Sequence, residues 1–160
     1  MLVALAALLE VALSPLVTFG WVAPRFLVLG AVVAVTGLRD LQALLLGFFG
    51  GVLTDALSGG LFGAGALGGV LAAAISLRIG AARRRKVGTS PALAQAVAVA
   101  VVVYDLLGLL APILVGRDSP PIATYIAGGV IPDALLNGLL AYLVGGRLLK
   151  LITTKEDKWT

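Results

Sequence analysis

Four acidic residues stand inside otherwise hydrophobic stretches, Glu10, Asp55, Asp105 and Asp133, and together with Asn137 they are this chain's candidates for chemistry. A carboxylate within a bilayer costs roughly 2.5–3.5 kcal/mol on insertion scales, so each is expected to face a protein interior, face an aqueous cavity or carry a proton. No basic residue falls in the central part of a hydrophobic stretch to pair with them. Two readings stay open for these acids: a proton relay or substrate site, and a structural carboxyl bonded to a neighbouring helix. For Asp55, close to the end of its stretch, a structural or partner contact is the preferred reading. Asn137 follows Asp133 by one helical turn, so the two share a face. Asp105, with Tyr104 beside it, would join them if the fifth and sixth helices present those faces to each other.

Other chemistry is limited by composition. The 160 residues contain no Cys and no His, which removes thiol chemistry, haem ligation by His and the usual zinc ligands. There is no GxxxxGK[ST], GxSxG or HExxH pattern. The expectation is a protein that is not an enzyme and has no cofactor, no metal and no nucleic-acid partner. Its formal charge of +4 comes from basic residues in short loops and a tail, where membrane orientation explains them.

The elements that position the acids are membrane spans. The chain is 60% hydrophobic and 12% charged, against about 25% charged in a soluble domain. We read it as one transmembrane domain, residues 1–160, all-α, with six spans. The central stretch from Leu41 to Leu77 is too long for one crossing of a core roughly 30 Å thick, and Ser58-Gly59-Gly60 is the natural break. Gly47/Gly51, Gly59/Gly63 and Gly65/Gly69 form small-xxx-small pairs that let helix backbones approach in lipid. The expected spans are Met1 to about Val22, Phe26 to Thr36, roughly 41 to 57, roughly 61 to 80, about Ala92 to Val115, and about Ile122 to Leu143. The second is short, and a five-span arrangement with that segment re-entrant is the alternative. Gly128-Gly129 followed by Pro132 is a potential break in the sixth span.

With six spans, Arg39, Arg78, Arg83, Arg84, Arg85, Lys86, Arg147, Lys150, Lys155 and Lys158 share a side, leaving Arg25 and Arg117 opposite. The positive-inside rule then makes both termini cytoplasmic. The run Arg83 to Lys86, placed in the loop between the fourth and fifth spans, is read as a topology determinant, with anionic lipid as a second use.

Arg39, the segment GFFGGVLTDALSGGLFGAGAL from Gly47 to Leu67, with Asp55 followed by Gly59, Gly60 and Gly63, and the basic run after the fourth span resemble the MreD family. The likeness runs in order through about the first 90 residues and extends to the whole chain in length and topology. It implies a membrane scaffold of the bacterial rod-shape (elongation) machinery in the cytoplasmic membrane. It further implies MreC as partner, and with it the assembly that joins MreB to peptidoglycan synthesis by RodA and its transpeptidase. The implied fold is a six-helix bundle like the S-components of energy-coupling-factor vitamin transporters. A substrate-binding S-component is therefore the second functional reading, although Ala4, Ala6, Ala7 and Ala12 do not supply the i, i+4 contact typical of that class. A small secondary transporter is the third.

Overall fold

The computed structural model describes residues 2–35, 38–58, 63–87 and 89–147, and among these the chain is all helical, without strands. We number six helices in order: α1 Leu2–Val17, α2 Phe26–Val35, α3 Asp40–Ser58, α4 Ala64–Val87, α5 Thr89–Leu114 and α6 Ile122–Gly145. Gly59 and Gly60 lie outside the described residues, as does Gly88.

The first helix ends five residues earlier than its hydrophobicity suggests. Phe19 and Val22 exchange backbone hydrogen bonds of 2.9 and 3.1 Å around Gly20, whose φ of +63° suits glycine. Pro24 then disfavours a helical Ala23. Residues 18–25 thus form a non-helical strap between α1 and α2. At the other extreme α4 continues through Val87, so Arg83, Arg84, Arg85 and Lys86 are helical and not in a loop. Ala, Arg and Lys are among the better helix formers, which accounts for the continuation. Their side chains are not among those described.

The sixth helix is not broken by Gly128-Gly129 and Pro132. It passes through a π-helical stretch at Ile126–Val130, resumes as α-helix, and passes through a second π stretch at Ala141–Gly145. Pro132 sits in the first turn of the resumed α segment, where its missing N–H is absorbed by the change of hydrogen-bond register.

In lipid, helices associate through close packing and hydrogen bonds rather than through exclusion of water. The core reflects this. Small and β-branched residues meet at its centre: Val32 and Val33 of α2, Ala72 of α4, Ala96, Val97, Ala100 and Val101 of α5, and Ala134 and Ala141 of α6. Large apolar side chains such as Leu8, Leu16, Phe49, Leu135 and Leu139 point outward. Among the described residues, two helices, Ser90–Leu114 and Ile122–Gly145, are long and apolar enough to cross a bilayer, while Phe26–Val35 and Ala64–Ile79 are apolar but shorter.

The α3–α4 pair is joined by a glycine seam. Adding a Cβ at Gly51 would drive it into the backbone of Gly65 and Ala66, and adding one at Gly47 or Gly69 would overlap the facing glycine's carbonyl. Gly47 and Gly51 of α3 therefore oppose Gly69 and Gly65 of α4, antiparallel and backbone to backbone. Gly63 plays a different part from the one its spacing suggests. A Cβ there meets nothing within 4 Å, and what selects glycine is a φ of +105° at the entry to α4.

Candidate functional site

The sequence places Asp105, Asp133 and Asn137 on adjacent helices, and the structure brings them together around a residue that the sequence assigned to an outer turn. Arg25, the last residue of the strap, reaches between α5 and α6. Its Nε donates to Asp133 Oδ2 and its Nη2 to Asp105 Oδ1, both at 3.1 Å. The expectation that no basic residue pairs with these acids is thus overturned. A long arginine at a helix boundary extends its guanidinium inward, and span limits drawn from hydropathy do not show it.

The strap is fastened by its backbone as well. Asp133 Oδ1 accepts the N–H of Ala23 at 2.9 Å, and Asn137 Oδ1 accepts the N–H of Arg25 at 2.6 Å. The Asn137 amide donates to the carbonyls of Ala23, at 3.0 Å, and Asp133, at 2.9 Å. Asn137 therefore returns to the strap what Asp133 takes from it. Trp21 lies over Gly128 and Gly129 with its ring 5.6 Å from that of Tyr125. The π stretch of α6 presents those two glycines to the indole. The guanidinium also stands 5.5 Å from the centre of the Tyr104 ring, within cation–π range. Asp133 is fully buried and Asp105 is 3% exposed, whereas the Arg25 side chain keeps 24%.

Glu10 and Asp55 are used alike. Each belongs to the first helix of a pair and accepts backbone N–H groups at the start of the second. Glu10 Oε2 takes the N–H of Leu27 at 3.1 Å, in the first turn of α2. Asp55 takes the N–H of Gly63 at 2.8 Å, of Gly65 at 2.8 Å and of Ala66 at 3.2 Å, at the head of α4. The first turn of a helix leaves its N–H groups without intrahelical acceptors and carries the positive end of the helix dipole, so a carboxylate is favoured there. Gly65 has no Cβ because the Asp55 carboxylate occupies that space.

Among the described residues, no buried side-chain nitrogen or oxygen lacks a hydrogen-bond partner. The missed residue was Arg25. The available signal was its charge on the side that otherwise holds only Arg117, next to a surplus of acids in the spans.

A family model described as rod shape-determining protein MreD matches residues 1–152, nearly the whole chain. The chain belongs to the MreD family. It is accordingly a membrane protein of the rod-shape-determining machinery, as the resemblance of the Gly47–Leu67 segment implied. No curated protein and no solved structure matches it. Within this MreD-family chain, Glu10, Asp55, Asp105, Asp133 and Asn137 each make an internal hydrogen bond that ties one helix or the strap to another.

Proposed function

We propose that this MreD-family chain is a single-domain, non-enzymatic scaffold that holds an MreC-like partner in the elongation machinery and thereby links MreB to peptidoglycan synthesis by RodA and its transpeptidase. One observation carries the non-catalytic part of the reading: the intramembrane acids are spent on Arg25 and on backbone N–H groups. Such bonds fix a shape. A proton relay or a substrate site needs groups free to change partners, so the arrangement favours the scaffold over the transporter readings.

The partner surface we assign is the outward face of the α3–α4 hairpin. The glycine seam and the Asp55 turn make this pair a stiff unit, and Phe49 and Leu67 are exposed on it. The chain crosses the cytoplasmic membrane six times with both termini inside, following its basic residues. A reporter fused at Thr160 should be active only as a cytoplasmic fusion.

Photocrosslinking tests the placement. Probes at Phe49 and Leu67 should capture the MreC-like partner in native membranes, and probes at Leu135 and Leu139 of α6 should capture it far less. Adducts confined to α6 would refute the hairpin assignment. Sustained hydrolysis of a nucleotide or a lipid-linked precursor by the pure protein would refute the non-enzymatic reading.

A further inference from the structure

Arg25 meets two carboxyl groups with one charge. Its Nε bonds Asp133 Oδ2 and its Nη2 bonds Asp105 Oδ1, and these two nitrogens form one edge of the guanidinium. The N–H bonds on that edge run parallel, the geometry in which a single carboxylate sets both of its oxygens side by side. Here the two oxygens come from different residues, and the Asp105 and Asp133 carboxyls stand within hydrogen-bonding reach of each other. Like charges about 3 Å apart in a water-poor site do not both ionise. We propose that Asp105 and Asp133 share one proton beside Arg25, and that this proton latches the strap to α5 and α6.

Hydrogen bonding decides which carboxyl holds the proton. Asp133 accepts from the Ala23 N–H, from the Asn137 amide at 3.2 Å and from Arg25 Nε, and three donors favour a carboxylate. Asp105 accepts from Arg25 Nη2 alone among the described hydrogen bonds. Asp105 is therefore the acid and Asp133 the anion that balances Arg25. No other group supplies a second cation. Tyr104 on α5 and Tyr125 on α6 are uncharged near neutral pH. Glu10 of α1 and Asp55 of α3 are further acids, bonded to the heads of α2 and α4. The α2 helix carries no titratable residue. On α4, Gly68 faces Tyr104, and the nearest cation in sequence, Arg78, lies ten residues on, a rise of about 15 Å.

The strap is the element that answers to this proton. Its backbone hangs on Asp133 and Asn137, its Phe19 and Trp21 are exposed, and the Arg25 side chain keeps 24% exposure at the rim of the site. Ionising Asp105 leaves a buried negative charge without a partner where the strap is attached, and a non-helical segment yields before a packed helix does. Once the strap lifts, water takes its place and both acids ionise as ordinary carboxyls, so docking takes up one proton. The docked form is then favoured at low pH, and that advantage is lost as pH rises through the value at which the pair releases its proton. The proton is held and not passed on, in keeping with a scaffold, and the latch does not depend on which partner the chain binds.

Two measurements on the full chain in vesicles of phosphatidylethanolamine and phosphatidylglycerol test the latch. Infrared spectra at neutral pH should contain a protonated-carboxyl C=O band that Asp105→Asn removes and that Asp133→Asn also removes, because a single remaining carboxyl pairs with Arg25 as an anion. Glu10→Gln should leave that band in place. If no component disappears in both Asn variants, the shared proton is refuted. In a Trp159→Phe background Trp21 is the sole tryptophan, and its emission reports its seat over Gly128 and Gly129. Raising the pH from about 6 to about 9 should lower the ratio of docked to lifted strap by up to about tenfold per unit, the limit for one proton. Asp105→Asn, whose amide can donate to Asp133 as the acid does, should stay docked throughout. A flat response in the parent, or an equal response in folded Asp105→Asn, would overturn the latch. Should thermal unfolding show that Asp105→Asn does not fold, the parent's titration and a band surviving in Asp133→Asn still decide against it.

Discussion

The α3–α4 hairpin and the docking of the strap on α5–α6 hold the molecule together in opposite ways. In the hairpin, two helices meet through their backbones, and the only charged contributor at the turn, Asp55, is ten residues from the Gly65 N–H it accepts. In the dock, a cation and two carboxylates separated by 80 and 108 positions are gathered at one point. Small side chains make the first joint, and large polar ones make the second. The difference predicts where each will fail: the hairpin should be injured by added volume, the dock by lost charge.

Arg25 carries the largest expected effect. Arg25→Met leaves Asp105 and Asp133 buried without their cation, and breaking a buried pair from one side typically costs about 3–5 kcal/mol. Thermal unfolding in mild detergent should show this as the most destabilised single variant. Adding Asp105→Asn and Asp133→Asn to it should recover much of the loss, because no uncompensated charge then remains. A triple variant no more stable than Arg25→Met alone would mean that the dock depends on the packing of the arginine stem and not on its charge.

Added volume should hurt the hairpin next. Gly51→Leu forces a side chain into the Gly65 backbone, and overpacking of this kind costs about 1–3 kcal/mol. Gly108→Leu on α5 is the control, since a Cβ there meets nothing within 4 Å. Disulfide formation between cysteines placed across α3 and α4 should slow in the Gly51 variant and not in the Gly108 variant. Equal behaviour would dissolve the distinction between seam and surface.

These two joints were unequally readable in the sequence. The hairpin was legible because its cause is local: glycines at four-residue spacing and one Asp just before the break need no partner from elsewhere in the chain. Asp133 and Asn137 were also placed on one face by their spacing. What the spacing could not supply was Arg25, because positive-inside counting treats a basic residue as a marker of a loop and says nothing of where a long side chain reaches. The strap was hidden for a related reason. Phe19, Trp21 and Val22 are apolar enough to extend α1 on hydropathy alone, and only the turn at Gly20 reveals that they leave the helix. The basic run erred in the other direction, since charge suggested a loop where helix propensity continued α4.

Asp55 separates acceptor chemistry from charge within the hairpin. Its carboxylate takes three N–H groups at the head of α4, and loss of such a cap costs about 0.5–2 kcal/mol. Asp55→Leu should sit toward the upper end of that range. Asp55→Asn retains one acceptor oxygen and should lose less than half as much. Hydrogen exchange at the Gly65 and Ala66 amides reads the cap directly: it should accelerate strongly in the Leu variant and modestly in the Asn variant. Equal acceleration in both would assign the stabilisation to charge at the helix terminus and not to the hydrogen bonds.

The smallest effect distinguishes two reasons for a glycine. From its spacing, Gly63 belongs with the close-packed pairs, and Gly63→Leu should then be far worse than Gly63→Ala. From its geometry, the cost is conformational: φ of +105° is unfavourable for any L side chain, on the order of 1 kcal/mol, and the space beyond Cβ is open. Ala and Leu should therefore be destabilising by the same amount to within about 0.5 kcal/mol, as exposed substitutions usually are. Melting both variants beside Gly51→Ala and Gly51→Leu completes the comparison, because at Gly51 the larger side chain should be clearly worse. If Leu exceeded Ala at both positions, the seam would extend through the turn, and the Gly63 backbone would be packed against a surface after all.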